Sequence, residues 1–202
     1  MHVLAIMGSP RTGRATDHLA DQAISGVREA NPGASVHKVR LGELRIGACR
    51  NCLTCRDNLE AVPFAPCVQQ DDMTPLLDDL ARCDALIVAT PVHMGNVTSL
   101  VMAFLERLCW TFAKPTGRVL TVRGCPVPRT AKKRTAAIIV VSGLVPPFLR
   151  RFCDDATGLV RSTLRDSLNC RTVGSLYAGA VERRGTDVYA DAARRLGRAV
   201  VS

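Results

Sequence analysis

The chain has 202 residues, of which 47% are hydrophobic and 22% charged; this is an ordinary globular make-up and excludes a disordered or fibrous protein. One well-cored domain spanning residues 1–202 is expected, since the length leaves little room for two. The net charge of +9 raises the question of nucleic acid, but the basic residues are dispersed and aromatics make up only 4%, so no nucleic-acid partner is expected.

Val3 to Met7 is a continuous apolar run that ends in Gly8-Ser9-Pro10-Arg11, as in a buried parallel strand feeding a loop. The run is too short for a secretory leader. A helix is expected over Thr16 to Ala30, with Leu19, Ala23, Ile24 and Val27 on one face and Asn31-Pro32-Gly33 as its stop. Ser35 to Leu41 alternates as a second strand. An irregular loop from about Gly42 to Asp72 follows, and connections of that length are usually functional. Thr74 and Pro75 open a helix that turns Leu76, Leu77 and Leu80 inward.

Ala85 to Ala89 is a third strand, Val97 to Thr111 a helix, Ala136 to Ser142 a fourth strand and Phe148 to Leu168 a largely helical stretch. Thr172 to Ala178 makes a fifth strand and Thr186 to Val201 a last helix. Strands alternating with helices point to an α/β protein with a doubly wound, five-stranded parallel sheet and helices on both faces. The apolar stretch from Ala136 towards Phe148 is broken by Ser142, Gly143 and two prolines, well short of the about 20 residues a membrane span needs. The densest basic stretch, Arg123 to Arg134, reads first as a solvated loop; its sharper reading is a field that draws phosphate-bearing ligands.

In such a fold, ligands bind beyond the carboxyl ends of the strands, where the strand order reverses. After the first strand come Ser9, Arg11, Gly13 and Thr16, and backbone N–H groups at the helix start with these side chains suit a monophosphate. After the third strand, Pro91-Val92-His93-Met94-Gly95-Asn96 is a turn whose backbone can approach a flat ligand. Ser142 and Gly143 follow the fourth strand. Cys49, Cys52, Cys55 and Cys67 form a C-x2-C-x2-C-x11-C run in the long loop, and soft thiolate sets of this kind suit an iron–sulfur cluster or zinc. Nine cysteines, an odd number, with no export signal favour reduced thiols in the cytoplasm. Cys83, Cys109, Cys125, Cys153 and Cys170 are scattered and read as structural or incidental, Cys83 as a packing residue.

Gly8-Ser9-Pro10-Arg11 with Thr16, Thr90-Pro91-Val92-His93 through Thr98, and Phe104-Leu105-Glu106-Arg107 together resemble the NADPH-dependent FMN reductase group of flavodoxin-like proteins. Within that group, a cysteine loop ending in Asp71-Asp72-Met73 is similar to that of the iron–sulfur flavoproteins. The resemblance covers the first 110 residues and rests on element order thereafter. It implies that Ser9, Arg11 and Thr16 hold the FMN phosphate, that Pro91, Val92, His93, Met94 and Gly95 line the isoalloxazine, and that Ser142 and Gly143 lie on its other side; Gly13 and Asn96 complete these loops. His93 stands where the family usually has tyrosine and Met102 where it often has lysine. The eleven residues between Cys55 and Cys67 are about twice the usual interval.

For the four thiols, a [4Fe–4S] cluster is the favoured reading, ahead of free thiols or a redox disulfide and of a tetrahedral zinc site. Asp71 and Asp72 read as helix-start residues. The expected protein is an FMN-dependent oxidoreductase that passes electrons between NAD(P)H or a ferredoxin-type donor, FMN, a cluster and a small acceptor, with no catalytic acid or base assigned. The rivals are a flavin reductase without a cluster, a non-enzymatic electron carrier or redox sensor acting through a protein partner, and a zinc-stabilised interaction domain. A homodimer or homotetramer is expected from the resemblance and from Phe104, Leu108 and Trp110, read as exposed on their helix, although core packing explains much of that apolar surface.

Overall fold

Val3 to Met7 has no accessible surface at any residue, as a parallel strand covered on both faces must. The computed structural model describes residues 1–202. In chain order the elements are β1 (His2–Met7), α1 (Ala15–Ala30), β2 (Ser35–Arg40), a short α2 (Thr54–Asp57), α3 (Met73–Arg82), β3 (Ala85–Pro91) and α4 (Ser99–Phe112). There follow β4 (Ala113–Val119), β5 (Val122–Pro128), β6 (Arg134–Val141), α5 (Ala156–Leu168), β7 (Cys170–Ala178), a short α6 (Val181–Arg184) and α7 (Ala190–Val200). Five strands form one parallel sheet in the order β2-β1-β3-β6-β7. The order reverses between β1 and β3, which puts a crevice at their carboxyl ends.

The two-residue period of the strands divides the core in two. Leu4, Ile6, Leu86, Val88, Ile138 and Val140 face α3, α4 and α5 and share a cluster with Leu76, Phe104, Leu108 and Leu164. Val3, Ala5, Met7, Ile87, Ala89 and Ile139 face α1 and α7 and pack on Leu19, Ala23, Ala193 and Val200. On that side the helices touch backbone to backbone, because a Cβ on Gly197 would collide with the Ala23 carbonyl and one on Gly26 with that of Arg194.

The elements differ from the sequence reading in three places. The stretch after α4 is not a loop: β4 and β5 pair as an antiparallel hairpin with Ala113 opposite Pro128. Its glycines and prolines, at Pro115, Gly117, Gly124, Pro126 and Pro128, hide the strand signal. The helix expected from Phe148 is split: Pro147–Phe152 is a 3-10 turn and α5 starts only at Ala156. Phe104 and Leu108, read as exposed, are fully buried in this chain's own core and so carry no argument for assembly; the helix face was assigned to solvent when the sheet needed it.

Two arginines of the supposed solvated stretch, Arg129 and Arg134, are also buried, while Arg123 and Lys133 are exposed. Arg134 donates to the carbonyls of Ala81, Cys83 and Leu168 at 2.9, 3.2 and 3.0 Å. It thereby caps the ends of α3 and α5, where carbonyls lack helical partners. Cys83 is a packing residue as expected, fully buried, and burial pushes its thiol up to about 11; burial likewise takes Cys170 to about 12.

Phe104→Ala distinguishes a core residue from an interface residue. We expect a loss of about 3–5 kcal/mol in urea unfolding with the oligomeric state unchanged; dissociation at unchanged stability would return Phe104 to an interface.

Candidate functional site

Three loops leave the carboxyl edge side by side, after β1, β3 and β6, because these strands are neighbours. The first runs from Gly8 to Arg14. Ser9 is buried, and its hydroxyl accepts the Arg11 N–H at 3.1 Å and donates to the Arg11 carbonyl at 2.9 Å. The N-cap position of α1 is Arg14, whose side chain caps nothing, so the N–H groups of the first turn face the loop without a side-chain acceptor. Thr16 is buried within that turn and Arg11 is exposed beside it. The Gly13 N–H bonds the Asp17 carboxylate, which is paired in turn with Arg40 at the end of β2. Asp17 and Arg40 were not anticipated; a lone acid in the first turn was the available signal.

The second loop is a tight turn in which His93 and Asn96 exchange backbone hydrogen bonds of 2.8 and 2.9 Å. Met94 and Gly95 occupy its tip at φ +51 and +79, a left-handed pair that glycine adopts freely and methionine does not. Met94 is fully exposed, His93 is exposed, and Pro91, Val92 and Asn96 are half-buried. Thr98 lashes the two loops together: its hydroxyl donates to the Gly8 carbonyl at 2.7 Å and accepts the Val101 N–H at the start of α4. Ser142 and Gly143 lean towards the β7–α6 connection instead, with the Ser142 carbonyl accepting the Val181 N–H and a Gly143 Cβ meeting Glu182.

The cysteine loop is closed at its neck by one ion pair between a buried arginine and a half-buried aspartate. Arg107, on α4, makes a two-pronged contact with Asp71 at 2.7 and 3.1 Å and donates to the Gly47 carbonyl at 3.0 Å. Asp71 also accepts the N–H groups of Gly47 and Met73 at 3.0 and 3.1 Å, and Asp72 that of Arg45 at 2.6 Å. Asp71 therefore does serve the start of α3, but its larger work is to join both ends of the loop. Arg107 was quoted only as part of a motif, although a cation between Phe104, Leu108 and Thr111 on a core-facing helix was a visible signal.

Inside the loop, Asn51 and Leu53 are left-handed at φ 50 and 63, and strain of this kind collects at functional sites. Turns of this type aim backbone N–H groups at one point and form concavities for anions and iron–sulfur centres. The Cys49 sulfur accepts the Asn51 N–H at 3.4 Å. The Thr54 N–H, followed by its hydroxyl, holds the exposed Cys52 thiol below its ordinary range. Burial, followed by Cys67, pushes the Cys55 thiol up, with Cys49 and Cys52 adding to it. Cys109 of α4, read as incidental, lies in the same field: burial raises it most, and Cys55 and Cys49 contribute. The four expected thiols thus share one neighbourhood, but no three His, Cys, Asp or Glu side chains converge closely enough to hold a metal ion.

The donor set nevertheless fits an anionic centre. The buried Nε of Arg107 has no hydrogen-bond partner, and the Cys67 sulfur is among the groups that stabilise its charge. A cavity of about 1040 Å³ lies at the other, amino edge among Lys133, Arg134, Arg161, Arg165 and Arg171, away from both the carboxyl-edge loops and the Cys49–Cys67 loop.

A family model described as NADPH-dependent FMN reductase matches residues 1–145. An iron-sulfur flavoprotein of Archaeoglobus fulgidus is 30% identical over 152 residues, 72% of this chain and 66% of that protein. Another, of Methanosarcina thermophila, is 31% identical over 107 residues, 53% and 52% of the two chains. The matched part thus spans between about half and two thirds of these relatives' length. Among solved structures, an NAD(P)H:quinone oxidoreductase from Methanothermobacter marburgensis superposes with a TM-score of 0.68 at 18% identity over 98% of this chain and 96% of that one, a likeness of fold.

The neck should loosen in acid. Burial works to raise the Asp71 carboxyl, but the Arg107 guanidinium and the N–H groups of Gly47 and Met73 outweigh it and hold it below the ordinary range. A depressed folded pKa contributes stability that is complete above the unfolded value of about 3.9 and is lost as pH falls through the folded value. Asp71→Asn leaves Arg107 buried and unpaired and costs about 3 kcal/mol at neutral pH. Its stability then also falls less steeply than the wild type's below about pH 4, where the native carboxyl titrates; identical pH profiles in chemical unfolding would remove Asp71 from the neck.

Proposed function

Because the chain belongs to the NADPH-dependent FMN reductase family, whose model covers residues 1–145, we propose that it is an FMN-dependent oxidoreductase using NAD(P)H, with a [4Fe–4S] cluster on Cys49, Cys52, Cys55 and Cys67. The observation that carries the flavin reading is the placement of Gly8–Thr16 and Pro91–Asn96 side by side at the reversal of strand order. FMN, when bound, supplies the two-electron and one-electron chemistry.

This chain's residues bind and orient it. The phosphate is held by the first-turn N–H groups of α1 with Ser9, Arg11, Gly13 and Thr16. Arg40 neutralises Asp17 behind that loop, so the one buried acid there does not repel the phosphate. The turn Pro91–Asn96 is stiffened by its paired hydrogen bonds and by the Asp155 N–H on the Gly95 carbonyl at 2.9 Å; it gives the ring a firm wall, and His93 and Met94 exclude water from it. Ser142 and Gly143 hold the far side by fixing the loop after β6.

A cluster on the cysteine loop would supply one-electron storage. Its thiolates would be stabilised by the N–H groups of Asn51 and Thr54 and by Arg107. Cys49 and Cys52 are exposed, which supports exchange with a ferredoxin-type protein or a small acceptor at the surface. The iron–sulfur flavoproteins among the relatives support the cluster reading. All nine cysteines are unpaired, in keeping with the cytoplasm, and no helix is long and apolar enough to cross a membrane. Leu144, Phe148, Leu149 and Phe152 are exposed beside the flavin loops and support a homodimer or homotetramer.

Replacing Ser9 and Arg11 together by alanine should weaken FMN at least about tenfold, read by fluorescence titration of flavin-free protein; an unchanged Kd would remove the phosphate assignment. With FMN bound, the wild type should oxidise NAD(P)H repeatedly with a quinone as acceptor. A single reduction without turnover would instead favour the electron carrier or sensor.

A further inference from the structure

Arg129 stands immediately after β5, and the β4–β5 hairpin returns it to the end of α4, where its N–H bonds the Phe112 carbonyl at 2.9 Å. It is buried. Its guanidinium donates to the carbonyls of Cys55 and Asn58 at 2.7 Å each, of Thr111 at 3.0 Å, and more weakly to those of Ala61 and Trp110 at 3.4 Å. Three of these acceptors belong to the cysteine loop and two to the last turn of α4. None is a carboxylate.

The other side of the loop is fastened to the same turn. The Ala65 N–H bonds the Thr111 carbonyl at 2.8 Å, Phe64 packs on Phe112 at 5.4 Å, and Arg56 lies over Trp110 at 5.5 Å. The residues that lengthen the Cys55–Cys67 interval are therefore the ones tied down, and Arg129 holds the side that includes Cys55. Arg107 is different, since Asp71 answers its charge. Arg129 is a full positive charge among dipoles only, an expensive arrangement in a protein interior. An anion next to Cys55 would offset that cost.

We propose that Arg129 is the positioning residue of the cysteine set: it pins Cys55 and residues 58–61 to the end of α4 so that the long excursion brings Cys67 back, and its unanswered charge favours an anionic centre there. The charge half of this inference rests on the iron–sulfur reading given above; the pinning half does not. The hairpin thereby acquires a role, as the support that carries Arg129 to the loop.

Wild type, Arg129→Lys and Arg129→Met are to be compared, each checked for retained FMN as a sign of an intact fold. Hydrogen exchange at Asp57 and Ala65 in metal-free protein reads the pinning. It should quicken about tenfold or more in Arg129→Met and less in Arg129→Lys. After anaerobic reconstitution with iron and sulfide, Arg129→Met should lose iron to a chelator faster and show a lower midpoint potential than wild type. Arg129→Lys should keep the potential, because it keeps the charge. Wild-type exchange, iron retention and potential in Arg129→Met would overturn the inference while leaving the cluster standing. A wild type that takes up no iron would sink the cluster reading and with it the charge half, while the exchange rates still decide the pinning. Should Arg129→Met fail to hold FMN, Arg129→Lys decides: exchange as slow as wild type overturns the pinning.

Discussion

The ladder between β1 and β3 is where the sheet turns round, and the rest of the molecule is arranged by it. From β1 the chain winds outward to β2 in one direction; from β3 it winds through β6 to β7 in the other. A parallel sheet must be covered on both faces, and α1 with α7, and α3 with α4 and α5, do so. The reversal opens a gap at the carboxyl ends of β1 and β3, where the connecting loops leave the sheet. Thr98 bridges that gap with one buried hydrogen bond to Gly8, which fixes the spacing of the two loops on which the flavin reading depends.

The cysteine loop is held by a second, independent arrangement, centred on α4. One residue of the helix, Arg107, closes the neck through Asp71; its last turn, Trp110 to Phe112, anchors the body of the loop. The helix that lines the core is therefore also the floor of the cysteine site. Opposite demands are met along its length: Phe104 and Leu108 are buried against the sheet, while Arg107 and the terminal carbonyls face the loop. Such a floor would keep the thiols in register with the flavin loops, since Thr98 begins the same helix.

Legibility in the sequence followed physical distinctness. The five parallel strands and their flanking helices were legible because buried strands are continuous apolar runs, such as Val3–Met7 and Ile138–Val141. The family resemblance was legible because the loops at the reversal have a fixed local chemistry, and the match over residues 1–145 bears it out. The hairpin was missed because its prolines and glycines speak against strands, and because its two-residue turn is Leu120-Thr121, with Leu120 left-handed, instead of a glycine- or asparagine-containing pair that marks a hairpin. Arg129 was placed in solvent for a related reason: its partners are backbone carbonyls, which every residue has and no sequence pattern marks. Phe104 was misassigned because periodicity shows that a helix has an apolar face, not which surface covers it.

The proposed function puts a flavin at the reversal of the sheet and a cluster beside the last turn of α4, the helix that Thr98 begins. The most direct test is the flavin, iron and acid-labile sulfide content of protein purified without oxygen, with its visible spectrum. The account predicts flavin bands over a broad iron–sulfur shoulder, with iron and sulfide in equal amounts, about four of each per chain. A colourless protein, or flavin bands with zinc in place of iron and sulfide, would contradict it.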